Sequence, residues 1–243
     1  IITSDWSSDV CSSDLARMRG NTMGEKAVVL LSGGLDSCTC MAVADAAGHE
    51  LYPVSFDYHQ RHIRELSCAK KIAVHYHAAE HLIIETNMNA VGGSALTDDT
   101  IDVPEGDAQR TDIPATYVPA RNLIFLSYAL GYAERVGATH LYIGVNSVDY
   151  SGYPDCRPAF IAAFQAAADA ATAAAAERGR RIIVETPLQS LSKGEIIRLG
   201  TKLGTPYELT TSCYRGEEEA CGVCDSCRSE EHTSELQSLV IIS

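Results

Sequence analysis

Apolar positions along the chain fall into short runs that alternate with longer amphipathic segments. "KAVVLL" (26–31) is a continuous apolar run ending in Gly-Gly, as expected of a parallel strand covered on both faces. A helix rich in Ala and small residues is expected over 35–47. "LYPVSFDY" (51–58) predicts a second strand, with Pro53 near its start, where a missing N–H donor is tolerated. From 61 to 77 the spacing of Ile63, Leu66, Ala69, Ala73 and Tyr76 predicts a helix with one apolar face. "HLIIET" (81–86) reads as a third strand. Residues 87–119 are rich in Gly, Asp, Pro and Thr, and so long a loop within a domain is usually functional or mobile. A helix over 120–136 leads to a fourth strand, "THLYIGV" (139–145), and a polar loop (146–157). An Ala-rich helix then opens at Pro158, a favoured first-turn residue. "RIIVET" (181–186) is a fifth strand, and Ser192 can cap a helix running to Leu203. The order predicts an α/β fold, a doubly wound parallel sheet whose ligands sit beyond the carboxyl ends of the strands.

The length of 243 residues allows one full core with an appendage. No apolar stretch reaches the roughly 18 residues of a membrane helix. No basic-then-apolar leader pattern opens the chain, so a cytoplasmic protein without membrane contacts is expected. The net charge of −13 argues against broad nucleic-acid binding, and none is expected. Both ends look foreign. "DWSSDVCSSDL" (5–15) and "RSEEHTSELQS" (228–238) resemble translations of one sequencing adapter read in opposite directions. Residues 1–15 and 229–243 are therefore expected to be non-native. Discounting Asp5, Asp9, Asp14, Glu230, Glu231 and Glu235 moves the charge from −13 to about −7. The organisation expected is a main domain over 24–208 followed by a cysteine-rich segment over 209–228.

The chemistry begins where the first strand stops. Ser32, Gly33 and Gly34 lie between a strand end and a helix start, where unpaired N–H groups and the positive helix end favour a phosphate. The hydroxyls of Ser32 and Ser37 can add donors, and Asp36 could position a magnesium ion or the loop itself. An ordinary Gly-rich turn would read the same way in isolation. "SGGLDS" resembles the PP-loop of the N-type ATP pyrophosphatases, which split ATP between its α and β phosphates. Arg121, at a helix start in "TYVPARN", could reach the phosphates. Lys193, in the first helical turn of "SLSKGEI", is poorly placed beside the helix dipole unless an anion lies nearby. Phosphoryl and adenylyl transfer need such fixed positive charge.

"CYRGEEEACGVCDSC" places Cys213, Cys221, Cys224 and Cys227 at a C-x7-C-x2-C-x2-C spacing. Four thiolates suit a closed, structural Zn²⁺ site, with an iron–sulfur cluster as the rival. Cys38, Cys40, Cys68 and Cys156 lie apart from this cluster and read as small core or loop residues. The loop "GVNSVDYSGYPDCRPAF" (144–160) supplies Asp149, Tyr150, Tyr153, Asp155 and Arg157, suited to stacking a flat heterocycle and binding its edges and a carboxylate.

That loop, together with "GGSALTDD", "IPATYVPARN", "TPLQSLSKGEII" and the four cysteines, resembles the 7-cyano-7-deazaguanine synthase (QueC) family from about Lys26 to Cys227. The resemblance implies an adenine nucleotide alpha hydrolase-like fold carrying a C-terminal four-cysteine zinc segment. It implies a ligase that turns 7-carboxy-7-deazaguanine and ammonia into the nitrile with ATP and Mg²⁺, on the route to queuosine. The carboxylate is adenylated, ammonia gives an amide, and a second activation with loss of AMP gives the nitrile. ATP contacts would fall on Leu30, Leu31, Ser32, Gly33, Gly34, Leu35, Asp36, Ser37, Cys38, Thr39 and Cys40. The expected catalytic residues are Asp36, Ser37, Arg121 and Lys193, and the expected assembly is a homodimer. "FDYHQRH" (56–62) resembles a family stretch with a smaller residue expected at His59, so no catalytic role is expected for His59; His62, Gln60 and the other histidines read as helix-surface groups. The rival readings are a PP-loop enzyme of the tRNA thiolation or lysidine type and a non-catalytic nucleotide-binding zinc module.

Overall fold

The computed structural model describes residues 24–58, 63–98, 100–102, 113–147, 152–178 and 180–211. The expected foreign ends, His59, Gln60, His62, Asp149, Tyr150 and the cysteines at 213, 221, 224 and 227 lie outside the described residues.

Five parallel strands form one sheet: β1 (Lys26–Leu30), β2 (Glu50–Asp57), β3 (Leu82–Glu85), β4 (His140–Tyr142) and β5 (Ile183–Glu185). The helices between them are α1 (Leu35–Ala46), α2 (Ile63–His75), α3 (Arg121–Val136), α4 (Pro158–Ala171), α5 (Ala173–Arg178) and α6 (Lys193–Leu203). The strand order is β3-β2-β1-β4-β5, so the chain winds outward from β1 twice, in opposite directions. The crevice between the carboxyl ends of β1 and β4 is the switch point where such sheets bind ligands.

Alternate residues of β1 feed opposite cores. Val28 faces a layer made with Leu126, Ala129 and Ala133 of α3 and Ile161 and Phe164 of α4. Ala27 and Val29 face Met41 and Val43 of α1, Ile72 of α2, and Ile196 and Ile197 of α6. Burying both faces explains why β1 reads as an unbroken apolar run. It also explains α1, which is buried nearly all round because it lies between the sheet and α6. Each Leu or Ile buried at these contacts stabilises the fold by about 1.5–3 kcal/mol.

Local chemistry sets the element ends. Ser192 accepts from the Glu195 amide while Glu195 reaches back to the Ser192 N–H, a complete capping box for α6. Gly137 and Gly204 close α3 and α6 in the left-handed conformation that helix ends favour. Pro53 sits fourth in β2, deeper than the expected strand start. The Val54 carbonyl accepts from Leu31 on the β1 side, so the backbone of Pro53 faces the β3 side. There the ladder begins only at Val54 paired with Leu82, and no donor is missed.

Two expectations change. The apolar face of α2 runs through Cys68, Ala69, Ile72 and Ala73, with Leu66 only partly buried. The long loop is packed where it is described: Ser94, Ala95 and Leu96 are buried, and the Ala95 amide donates to the Ala115 carbonyl at 2.8 Å. Among the described residues, no helix is long and apolar enough to cross a membrane.

Candidate active site

The loop after β1 is shaped by its own hydroxyls. Ser32 Oγ and Ser37 Oγ lie 3.1 Å apart, Ser37 Oγ donates to the Gly34 carbonyl at 2.9 Å, and the Gly33 and Gly34 amides donate to Ser37 and Ser32 Oγ. Ser37 therefore organises the loop in addition to any part it has with a ligand. Gly33 has φ +97°, and a Cβ there would stand 2.2 Å from the Glu65 carbonyl oxygen. Only glycine lets the loop pass this close to the first turn of α2. On the other wall, a Cβ at Gly144 would press on the Asp36 carbonyl at 3.2 Å, so the chain leaving β4 packs directly on the first turn of α1. Helix α1 opens behind Gly34 with no side-chain cap, the arrangement in which first-turn N–H groups can take an anion.

Asp36 is the centre of the arrangement. Its Oδ2 accepts from Lys193 Nζ at 2.6 Å and from Asn146 Nδ2 at 3.1 Å. Three chain segments meet at one carboxylate: the start of α1, the exit of β4 and the start of α6. The cation in the first turn of α6 thus has its anion, which is the Asp36 carboxylate. Asp36 Oδ1 is buried with no hydrogen-bond partner. A carboxylate oxygen held bare beside a phosphate-binding loop fits a hard divalent cation such as Mg²⁺. The residues present therefore suit the implied metal.

Arg121 opens α3 behind Ala120, whose φ of 55° is left-handed without a glycine. Such a conformation costs about 1–2 kcal/mol, and strain of this kind gathers at functional sites. The guanidinium acts on Tyr58, just past β2, and on Glu65. Burial raises the Glu65 carboxyl from 4.5 to about 7, and Arg121 opposes that rise. Arg121 is thus held against the same turn of α2 that walls Gly33.

The described part of the loop before α4 is anchored to these elements. Buried Asp155 accepts from the Asn122 amide through Oδ2 at 2.9 Å, capping α3 from across the chain. Asn122 Nδ2 also donates to the Asp155 carbonyl at 3.3 Å. Tyr153 Oη lies 3.0 Å from Thr116 Oγ1, and the Tyr153 and Tyr117 rings are 6.0 Å apart. Arg157 precedes α4 and is exposed.

Several expected ATP contacts lie inside the core. The side chains of Leu31, Leu35, Ser37, Cys38, Thr39 and Cys40 are buried and that of Leu30 is partly so, while Ser32, Gly34 and Asp36 are more open. Thr39 Oγ1 instead donates to the Leu35 carbonyl and meets the Tyr207 hydroxyl at 2.9 Å. Burial pushes the Cys38 thiol up to about 12 and raises Cys40 and Cys68, so these are inert core thiols.

Sequence reasoning passed over Asn146, a fully buried amide just beyond β4, and Glu65 and Tyr58, the neighbours of Arg121. The available signal for Asn146 was a polar residue at the end of an apolar strand. The histidines correct another expectation. His49 and His140 are not helix-surface groups but are buried at the amino ends of β2 and β4, and His81 bonds Ser55 at 2.8 Å.

A doubly wound sheet with an SGGLDS loop at its switch point defines a nucleotide-binding protein of the PP-loop class. The NMN synthetase of Francisella tularensis shares the fold at a TM-score of 0.53 and 15% identity, over 93% of this chain and 84% of that one. The family described as "Queuosine biosynthesis protein QueC" matches residues 26–236. The chain is 59% identical to the 7-cyano-7-deazaguanine synthase of Desulfitobacterium hafniense over 203 residues, 84% of this chain and 85% of the relative. It is 58% identical to the synthase of that name from Acetivibrio thermocellus over 202 residues, 83% and 89% of the two chains. For the Hydrogenovibrio crunogenus synthase the figures are 55% over 206 residues, 84% and 88%. The chain belongs to the QueC family.

Proposed function

We propose that this chain is an ATP-dependent carbon–nitrogen ligase converting 7-carboxy-7-deazaguanine and ammonia to 7-cyano-7-deazaguanine in queuosine biosynthesis. Beyond family membership, one observation carries the reading: Asp36, fixed by Lys193 and Asn146 beside the Gly33 turn, keeps a buried oxygen bare at the switch point. A carboxylic acid cannot lose hydroxide to ammonia at neutral pH, so its oxygen must first become part of a better leaving group. Attack on the α phosphorus of ATP supplies one, AMP, with pyrophosphate released. The first-turn amides of α1 and the hydroxyls of Ser32 and Ser37 face the departing pyrophosphate, and Arg121 and Lys193 offset its charge. Mg²⁺ held at Asp36 would neutralise phosphate charge. Ammonia displaces AMP to give the amide; activation of the amide oxygen and loss of a second AMP leave the nitrile.

Tyr153 and Arg157, with Asp149 and Tyr150, are read as the groups that stack the deazaguanine and bind its edge and carboxylate. Asp155 positions this loop by capping α3. Cys213, Cys221, Cys224 and Cys227 are read as one structural Zn²⁺ site. Free ammonia as the nitrogen donor, a homodimer and a cytoplasmic location complete the proposal. The thiolation rival needs a reactive cysteine pair, and the four described cysteines are all buried.

Exchange of labelled pyrophosphate into ATP tests the first step. It should require 7-carboxy-7-deazaguanine and be absent with transfer RNA alone. Exchange that follows transfer RNA instead would replace this reading with a tRNA-modifying one.

A further inference from the structure

At the end of the sheet opposite the SGGLDS loop, three residues brought together from distant parts of the sequence converge. Glu25 immediately precedes β1, His49 immediately precedes β2, and His140 opens β4. One possible ligand atom from each lies within 4.8 Å of the others. The β1 rise puts this cluster roughly 20 Å from the loop that handles ATP.

We propose that Glu25, His49 and His140 form a divalent transition-metal site of the zinc type, which ties together the amino ends of β1, β2 and β4. Two imidazoles and one carboxylate are a donor set such ions accept, with a fourth position left to solvent. Glu25 is the open side of the site, its side chain 42% exposed against 10% for His140.

The surroundings are those of metal-binding histidines. A ligating imidazole usually gives its second ring N–H to a carboxylate, a carbonyl or another acceptor, which fixes its tautomer and orientation. His140 Nδ1 lies 3.1 Å from Glu185 Oε1, while Nε2 lies 3.0 Å from Glu25 Oε2. His49 Nε2 lies 3.2 Å from the Tyr142 hydroxyl. His49 Nδ1, the other ring nitrogen, is buried with no hydrogen-bond partner. The Glu25 main chain also acts on the His49 ring, and a buried imidazole nitrogen without a full hydrogen bond, in a residue only 7% exposed, is a cost that a metal ion would remove. Thr139 Oγ1 donates to Glu25 Oε2 at 3.1 Å and holds that carboxylate in place. In this arrangement the ligands are His140 Nε2, a ring nitrogen of His49 and a Glu25 carboxylate oxygen, with Glu185, Tyr142 and Thr139 behind them.

The site is remote from the ATP loop, so its metal stabilises the sheet and leaves the chemical step alone. Cobalt(II) is the probe, added to full-length protein whose metal content as purified is known. One further equivalent should bind, with ligand-field bands but without the thiolate-to-cobalt absorption of a cysteine site, and the melting temperature should rise. Glu25→Gln and His49→Gln should abolish this uptake. Glu185→Gln, which touches no metal, should weaken it about 10- to 100-fold. Glu25→Gln changes a part-exposed group and is the variant least exposed to folding failure. Ammonia-dependent AMP formation should be the same in wild type and Glu25→Gln. Failure to bind a further equivalent overturns the proposal, as does uptake unchanged by both ligand substitutions.

Discussion

Gly33→Ala is the substitution for which the structure gives the most definite magnitude. Gly33 has φ +97°, a region costing an L-residue about 1–2 kcal/mol. The added Cβ would also stand 2.2 Å from the Glu65 carbonyl oxygen and 3.0 Å from the Ala69 nitrogen, both main-chain atoms of α2. Relief requires a shift of about 1 Å between loop and helix, and overpacking of this kind costs about 1–3 kcal/mol. The total is about 2–5 kcal/mol. Gly137→Ala is the matched control, since Gly137 also has positive φ (+72°) but nothing within 4 Å of its Cβ position. It should lose only the backbone cost, about 1–2 kcal/mol. Urea unfolding of both variants reads the difference, and the ATP KM of AMP formation should rise for Gly33→Ala alone. Equal destabilisation of the two, or an unchanged KM in Gly33→Ala, would refute the idea that close approach to α2 shapes the nucleotide loop.

Asp36→Asn and Lys193→Met each strand the other member of a part-buried ion pair, so both should abolish AMP formation and lose about 1–3 kcal/mol; steady-state assays and urea midpoints read the two effects. Ser192→Ala breaks the α6 capping box and should cost about 1 kcal/mol in thermal or urea unfolding. Arg157→Ala should raise KM for the carboxylic acid about ten- to a hundredfold and leave that for ATP nearly unchanged; an equal rise for ATP would move Arg157 to the phosphate site. Glu65 is raised by burial from 4.5 to about 7, so folding favours its protonated form. Its contribution is full below pH 4.5 and lost as pH rises through 7, and Glu65→Gln should flatten the fall in unfolding free energy across that window.

Much of the fold was legible because its strands are buried on both faces and its breaks carry the right residues. The Gly-Gly after β1, Ser192 before α6 and Pro158 opening α4 each mark a boundary through a local physical preference that tertiary structure did not override. The SGGLDS stretch was visible for the same reason, whereas the anion implied by Lys193 in a first helical turn was expected to be a phosphate and is, in the structure, the Asp36 carboxylate. What stayed hidden depends on contacts between distant residues. Asn146 and Lys193 reach Asp36 across 110 and 157 positions of sequence, and no spacing rule announces such a meeting. Asp155 was read from the sequence as a substrate contact, and its capping of α3 could not be read there because it depends on how the loop folds back. His49 and His140 were grouped with the surface histidines because a lone histidine carries no burial signal of its own in the sequence. Their burial follows from strand order, which places β2 and β4 on either side of β1.

The central claim is that this chain makes a nitrile from a carboxylic acid by repeated adenylation at one site. Mass spectrometry of the product formed from 7-carboxy-7-deazaguanine, ATP and ammonium, with AMP counted in the same reaction, tests it most directly. The account predicts 7-cyano-7-deazaguanine with two AMP released per nitrile, and loss of both products in Asp36→Asn. AMP release without any change in the 7-carboxy compound, or a reaction that halts at the amide, would contradict it.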